Sequence, residues 1–167
     1  LVYAVDEDCA SPWGPAWRRW LGDRPELDVR VVHTCHEDPN AQDVDVVMQS
    51  GQAFRRESAG LARAAGKHVF VYNGQLPYAP PLMLDVPATA LTLSGWIAAA
   101  YDVERWFLWE TTFWDDGNRG GRGPRDVFVD PETFHNADGD VALLDGLLVY
   151  PGRGHAPGGS SLDVDAV

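Results

Sequence analysis

Lysine is almost missing from this chain. Lys67 is the only one in 167 residues, and 13 basic side chains face 25 acidic ones for a formal charge of −12. Phosphate recognition needs clustered cations. Here the arginines gather at most as the pairs Arg18-Arg19 and Arg55-Arg56 among acids, so no nucleic acid partner is expected. Long apolar runs are missing too. The longest candidate, Trp96 to Leu108, is broken by Asp102, Glu104 and Arg105 and falls short of the ~20 residues of a membrane span, so no membrane partner is expected. Cys9 and Cys35 are the only cysteines, too few for a disulfide scaffold or a four-cysteine zinc site. They leave the compartment open, a secreted or periplasmic one being the expectation. No Gly-x-Ser-x-Gly elbow supports serine catalysis, and no internal repeat is visible. The chain opens at Leu1 in an apolar run with neither Met nor a basic-then-apolar leader, so its true start is expected upstream. Aromatic residues, by contrast, are plentiful. Seven Trp, five Tyr and six Phe, within a hydrophobic content of 45% that is ordinary for a folded domain, exceed what a core of this size takes. Such rings often line sites for flat or partly apolar ligands.

Periodicity organises the chain. Residues 1–5 (Leu-Val-Tyr-Ala-Val) are a short apolar run of the kind found in a strand buried on both faces, stopping at Asp6-Glu7-Asp8. A helix follows, with Ser11 as its cap, Pro12 in its first turn, and Trp13, Trp17, Trp20 and Leu21 at helical spacing. Strands are predicted over 28–32, 43–48, 68–72 and 105–109. Helices are predicted over 58–65 and from about 88 to 102. Strand and helix alternating at this pitch predict an α/β fold with a parallel sheet, whose polar residues collect at strand ends where such folds place their ligand sites. Five strands in about 110 residues suit an open doubly wound sheet or the last five-eighths of a (β/α)8 barrel. Beyond Trp114 the composition turns to Asp, Gly, Pro and Arg, predicting a long loop through 115–140 with a short strand or hairpin, and residues 146–150 are the last apolar run. Residues 1–151 are expected to form the folded part and 152–167 a flexible tail.

Several clusters could carry chemistry. Three adjacent carboxylates at Asp6-Glu7-Asp8 repel one another, so at least one is expected to hold its proton to higher pH, as a general acid must; the plainer reading is a solvated acidic turn before a helix. Side chains alternate on a regular strand, but a turn at its end would let Asp6 and Glu7 reach one pocket. Trp109, Glu110 and Trp114 place a carboxylate between indoles, which suits a sugar, though the rings of 106–109 equally suit a strand buried on both sides. Tyr72-Asn73-Gly74-Gln75 ends another strand with hydrogen-bonding side chains, while Asn-Gly is also a common turn. His33, Cys35, His36, Glu37 and Asp38 hold enough donors for a transition metal, but the spacing is not diagnostic and a structural role outweighs a metal. Asn136-Ala-Asp138-Gly-Asp140 resembles half a calcium loop without its distal glutamate, since position 147 is Leu; a turn held by side-chain to backbone bonds is the better expectation. Neither metal nor other cofactor is called for. Cys9 and Cys35 lie beyond the ends of successive strands, spaced about 4.8 Å if adjacent in the sheet, which puts a disulfide within reach.

The blocks Val-Tyr-Ala-Val-Asp6-Glu7, Gly66-Lys-His-Val-Phe-Val-Tyr72-Asn73-Gly74-Gln75, Gly95-Trp96-Ile-Ala-Ala, Arg105-Trp-Phe-Leu-Trp109-Glu110 and Asp138-Gly-Asp140 through Asp145-Gly146-Leu-Leu-Val-Tyr150-Pro151-Gly152 follow one another in an order that resembles the catalytic barrel of glycoside hydrolase family 123 and the uncharacterised bacterial barrels grouped with it. The resemblance covers nearly the whole chain and rests on that order, not on any single block. It implies a partial TIM-type (β/α)8 barrel comprising strands 4 to 8, and retaining, substrate-assisted hydrolysis of N-acetyl-β-hexosaminides, chiefly N-acetylgalactosaminides. By resemblance Asp6 and Glu7 match the family's catalytic pair. Glu7 would be the general acid and later the base, and Asp6 would orient the acetamido group. Tyr72, Asn73, Trp109, Glu110 and Trp114 would shape the sugar pocket. Thr92 stands where an arginine is expected, and the first three strands and the closing helix of the barrel are not in this chain. A glycan substrate is thus the expected partner. The alternatives are a carbohydrate-binding barrel without catalysis and, on His33 and His36, a metal-dependent hydrolase. Lacking the preceding barrel half, both sheet edges would offer unpaired backbone groups, and the chain is expected to self-associate or to dissolve poorly. A monodisperse monomer with a sharp thermal transition, by light scattering and calorimetry, would contradict this.

Overall fold

The computed structural model describes residues 1–34 and 43–151. The chain divides into two compact units, Leu1–Pro80 with Thr92–Phe107, and Pro81–Leu91 with the chain from Leu108 onward.

The first unit is an α/β layer. Strands β1 (Val2–Val5), β2 (Val31–Thr34), β3 (Val46–Ser50), β4 (His68–Tyr72) and β5 (Arg105–Phe107) form one parallel sheet in the order β1-β2-β3-β4-β5, with no reversal. Helices α1 (Trp13–Gly22), α2 (Arg56–Ala64) and α4 (Leu93–Tyr101) interleave with them. The Val-rich β2 and β3 are buried throughout and β4 nearly so, as parallel strands covered on both faces require. Alternation then divides the core. Val32, Val46, Met48, Phe70 and Tyr72 pack on one face, and Val47 and Val69 pack on the other against Ala59 and Ala62 of α2, whose small side chains let the helix lie close. Arg63 of α2 donates to the carbonyl oxygens of Tyr101 and Asp102, satisfying the C-terminal end of α4.

The sheet is curled. Tyr3 of β1 and Phe107 of β5 stack with ring centroids 6.3 Å apart, although three strands lie between theirs and a flat sheet would hold β1 and β5 roughly 19 Å apart. The concave face encloses a cavity of about 300 Å³ lined by Tyr3, Val32, Met48, Phe70 and Phe107, among others.

Two expectations need correction. The opening strand and the strand at 105–109 were expected to be buried on both faces. Instead Tyr3 is 48% and Phe107 44% exposed, because β1 and β5 are the edges of the sheet and each has one neighbour. β5 also ends at Phe107, two residues short. The aromatic stripe of α1 is not its buried face. Trp13, Trp17 and Trp20 face solvent, Arg24 lies over the Trp20 ring at 4.1 Å, and Gly14 is the buried residue of that helix.

In the second unit the long loop carries an antiparallel hairpin, β6 (Glu132–His135) and β7 (Val141–Leu143). Its turn is the Asn136–Asp140 segment. Asn136 Oδ1 accepts the backbone N–H of both Asp138 and Asp140 at 3.0 Å, the side-chain-held turn expected there. The helix predicted over 88–102 is two segments, α3 (Ala88–Leu91) and α4, one in each unit. The apolar run 146–150 is not a strand. It is tied to residues 111–113 by one antiparallel bridge, Thr112 to Leu147, and by N–H bonds of Leu148 and Val149 to the Thr111 carbonyl.

Asp116 organises this unit. Fully buried, it accepts the backbone N–H of Arg122 at 2.7 Å and of His135 at 2.8 Å, and His135 Nδ1–H at 2.8 Å, with Arg125 Nε 3.7 Å away. Burial pushes the carboxyl up, but the two backbone donors and the imidazole outweigh it and hold it below its ordinary value near 3.8. A depressed folded-state value means that the stabilisation is complete above the ordinary value and disappears as pH falls through the range below it. Asp116→Asn is expected to cost roughly 3 kcal/mol, with a gap in thermal midpoint from the parent chain that is full at neutral pH and narrows in acid. An unchanged midpoint at pH 7 contradicts this.

Candidate functional site

Asp6 and Glu7 leave the C-terminal end of β1, where a regular strand would send them to opposite faces. Two local features override that alternation. A register irregularity between Tyr3 and Val5 pairs Tyr3 with Val32 and Val5 with His33, so one residue of β1 is skipped and Asp6 comes onto the face of Tyr3. Glu7 then adopts the left-handed backbone (φ 51°), uncommon for a side chain of its kind and characteristic of constrained sites.

Both carboxylates are thereby drawn into one polar cluster. The Tyr3 hydroxyl donates to Asp6 Oδ1, and the Tyr72 hydroxyl, from the end of β4, donates to Glu7 Oε1. Thr34 at the end of β2 joins them. Its Oγ1 accepts the Glu7 backbone N–H at 2.7 Å, lies 3.2 Å from Asp6 Oδ1 as a donor, and is 3.1 Å from the Tyr3 hydroxyl. Burial, followed by the hydrogen bond to Asp6, raises the Tyr3 phenol well above its ordinary range; burial and the bond to Glu7 do the same for Tyr72. Both therefore stay protonated as donors throughout the physiological range.

Asp8 stands apart from this pair. Its carboxylate accepts the Ala10 N–H at 3.0 Å, closing a local turn, so the three adjacent acids do not share one site. Its carbonyl faces Nε2 of the buried His33 at 2.9 Å. No group of three metal-ligating residues occurs among the described residues, and Cys35, His36, Glu37 and Asp38 lie outside them. Cys9 is disulfide-bonded, and its expected partner Cys35 is likewise outside the described residues.

Asn73 follows Tyr72 with left-handed backbone (φ 41°) and donates its N–H to the Phe107 carbonyl at 3.2 Å. Gly74 is obligatory: a Cβ there would lie 2.7 Å from the carbonyl oxygens of Ala79 and Pro80.

The remaining expected residues belong to the second unit. Trp109 packs at 4.9 Å from Phe113 and edge-on at 5.7 Å from Phe134, and its peptide bond to Glu110 is cis. Glu110 is half-buried. Trp114 is not a stacking platform. It is 7% exposed, its Nε1–H donates to the Val149 carbonyl at 2.8 Å, and it forms a core with Val127 and Leu147. The first unit thus gathers Asp6, Glu7 and Tyr72 of the expected set and adds Tyr3 and Thr34. Their signal was present as a tyrosine inside the apolar strand that runs into the acids and a threonine closing Val-Val-His-Thr, but contacts among strand ends are not encoded in spacing.

Asp145, beside the Trp109 cluster through Gly146, also escaped the sequence reading. Burial pushes its carboxyl up to about 6, the Gly146 N–H offsetting part of the effect. A raised folded-state value means that the folded form holds the proton more strongly, so stability from this group declines as pH rises from near 3.8 through about 6. Asp145→Asn is therefore expected to raise the thermal midpoint at pH 7.5 by a few degrees, a kilocalorie being about 2–4 °C at this chain length, and to leave it unchanged near pH 3.5. A lowered midpoint at pH 7.5 contradicts this. No protein-family model matches the chain, and no curated protein matches it.

Proposed function

We propose that the chain is part of a (β/α)8-type glycosidase that cleaves N-acetyl-β-hexosaminides with retention, Asp6 and Glu7 acting on a substrate that supplies its own nucleophile. What carries the reading is the placement of the pair: a strand irregularity and a left-handed residue bring two adjacent carboxylates to the C-terminal end of a curled parallel sheet, each held by a tyrosine hydroxyl. Supporting the barrel are the sequential strand order, where doubly wound sheets reverse direction, and the curl that stacks Tyr3 on Phe107.

In this mechanism Glu7 gives its proton to the glycosidic oxygen as the bond to the anomeric carbon breaks. The acetamido carbonyl oxygen attacks that carbon from the opposite face and forms a cyclic oxazolinium. Asp6 accepts the acetamido N–H, which fixes the attacking oxygen and offsets the positive charge. Glu7, now a carboxylate, takes a proton from water as it opens the ring, and two inversions give net retention. No carboxylate nucleophile is needed, the substrate-assisted exception to the two-carboxylate scheme. Tyr3 and Thr34 hold Asp6, and Tyr72 holds Glu7.

A second reading, a carbohydrate-binding barrel without catalysis, is favoured by the phenol hydroxyls that already occupy one oxygen of each carboxylate. One experiment separates the two. The whole barrel of which the chain is proposed to be a part is expected to hydrolyse an aryl N-acetyl-β-galactosaminide, with kcat falling by about 10²–10⁴ in Glu7→Gln while binding persists. Binding without product in both proteins selects the second reading, and neither binding nor product removes both.

A further inference from the structure

On the opposite face of the sheet from the carboxylates, beside Val71 and Trp106, a cavity of about 330 Å³ opens between the start of α2 and α4. Its volume lies in the range of small-molecule sites, and its composition is unlike the rest of the chain. Four aromatic side chains from separate segments, Phe54, Tyr78, Tyr101 and Trp106, line it, with Phe54 and Tyr101 edge-on at 5.6 Å. In a protein of net charge −12, none of its lining residues is acidic and two are arginines, Arg55 and Arg56.

Two polar groups there are poised for a ligand. Arg55 Nη1 donates to the backbone carbonyls of Gln52 at 3.0 Å and Phe54 at 2.9 Å, which immobilises the guanidinium and leaves its other donors for an anion. Gln52 also lines the cavity, and its buried Oε1 finds no donor among the described residues. A buried acceptor without a donor is costly, and a ligand hydroxyl or amine would supply one.

We propose that this cavity binds a small aromatic carboxylate carrying a ring hydroxyl or amino group, its ring among Phe54, Tyr78, Tyr101 and Trp106, its carboxylate on Arg55 and its donor on Gln52. Aromatic rings supply edge-to-face contacts for a flat ligand, and a planar guanidinium matches a carboxylate in two-point geometry. The site is independent of the glycosidase reading, since it lies across the sheet from Asp6 and Glu7.

The test is calorimetric titration of the intact chain with 4-hydroxybenzoate and with benzoate. Saturable one-to-one binding of 4-hydroxybenzoate is expected, weakened about tenfold or more in Arg55→Met. Gln52→Leu should weaken 4-hydroxybenzoate while leaving benzoate unchanged, and Glu7→Gln should leave both unchanged. The proposal is overturned by absence of saturable binding at millimolar ligand, by equal affinity in Arg55→Met, or by loss of binding in Trp17→Ala, which would place the ligand on the exposed face of α1.

Discussion

A strand that ends in adjacent acids faces a conflict of phase. Its pleat sends neighbours to opposite sides of the sheet, whereas chemistry on one substrate needs them on the same side. In this chain β1 resolves the conflict by skipping one residue between Tyr3 and Val5 and by turning Glu7 through the left-handed region. The Thr34 hydroxyl then fastens the result, accepting the Glu7 N–H and lying within bonding distance of Asp6 and Tyr3. This puts the acids on the concave face, where the Tyr72 hydroxyl can reach Glu7 from three strands away. Curl of the sheet makes that reach possible, and the concave face behind the acids is filled by Val32, Val46, Met48, Phe70 and Tyr72.

Sequence legibility follows the physics of each segment. The strand at 68–72 was readable to the residue because Val69, Phe70, Val71 and Tyr72 form a short β-branched and aromatic run bounded by Gly66-Lys67 and Asn73-Gly74. The strands at 31–34 and 46–50 were placed two to three residues early, since Asp28 and Asp43 begin their apolar runs while the parallel register with β1 and β4 decides where pairing starts. Burial was less legible than element type. Composition marks 1–5 and 105–109 as fully buried, but edge position is a property of strand order, and no local signal carries it. The tryptophans of α1 make a related point: helical spacing identifies one face without saying what covers it.

The site was legible as residues and not as contacts. Asp6, Glu7 and Tyr72 stand out as polar groups at the ends of apolar runs. Tyr3 and Thr34 do not, because their role depends on a strand irregularity that the sequence does not announce. Trp114 shows the converse. An indole beside a carboxylate-rich stretch suggests a sugar platform, yet its N–H is spent on the Val149 carbonyl and its ring fills the second unit's core. Asp116 and His135 show how a loop of Asp, Gly and Arg is ordered without an apolar run of its own: one buried carboxylate takes three N–H donors and fixes the loop to the hairpin.

On the proposed function, the Asp6 and Glu7 carboxylates receive an acetamido sugar as it closes on itself. Calorimetric titration with the thiazoline analogue of N-acetylgalactosamine, a stable mimic of the cyclic intermediate, tests it without any leaving group. Binding is expected to be about 10²-fold or more tighter than that of N-acetylgalactosamine itself, with the advantage lost in Asp6→Asn. Affinity no better than that of the free sugar, or an advantage untouched by Asp6→Asn, would contradict it.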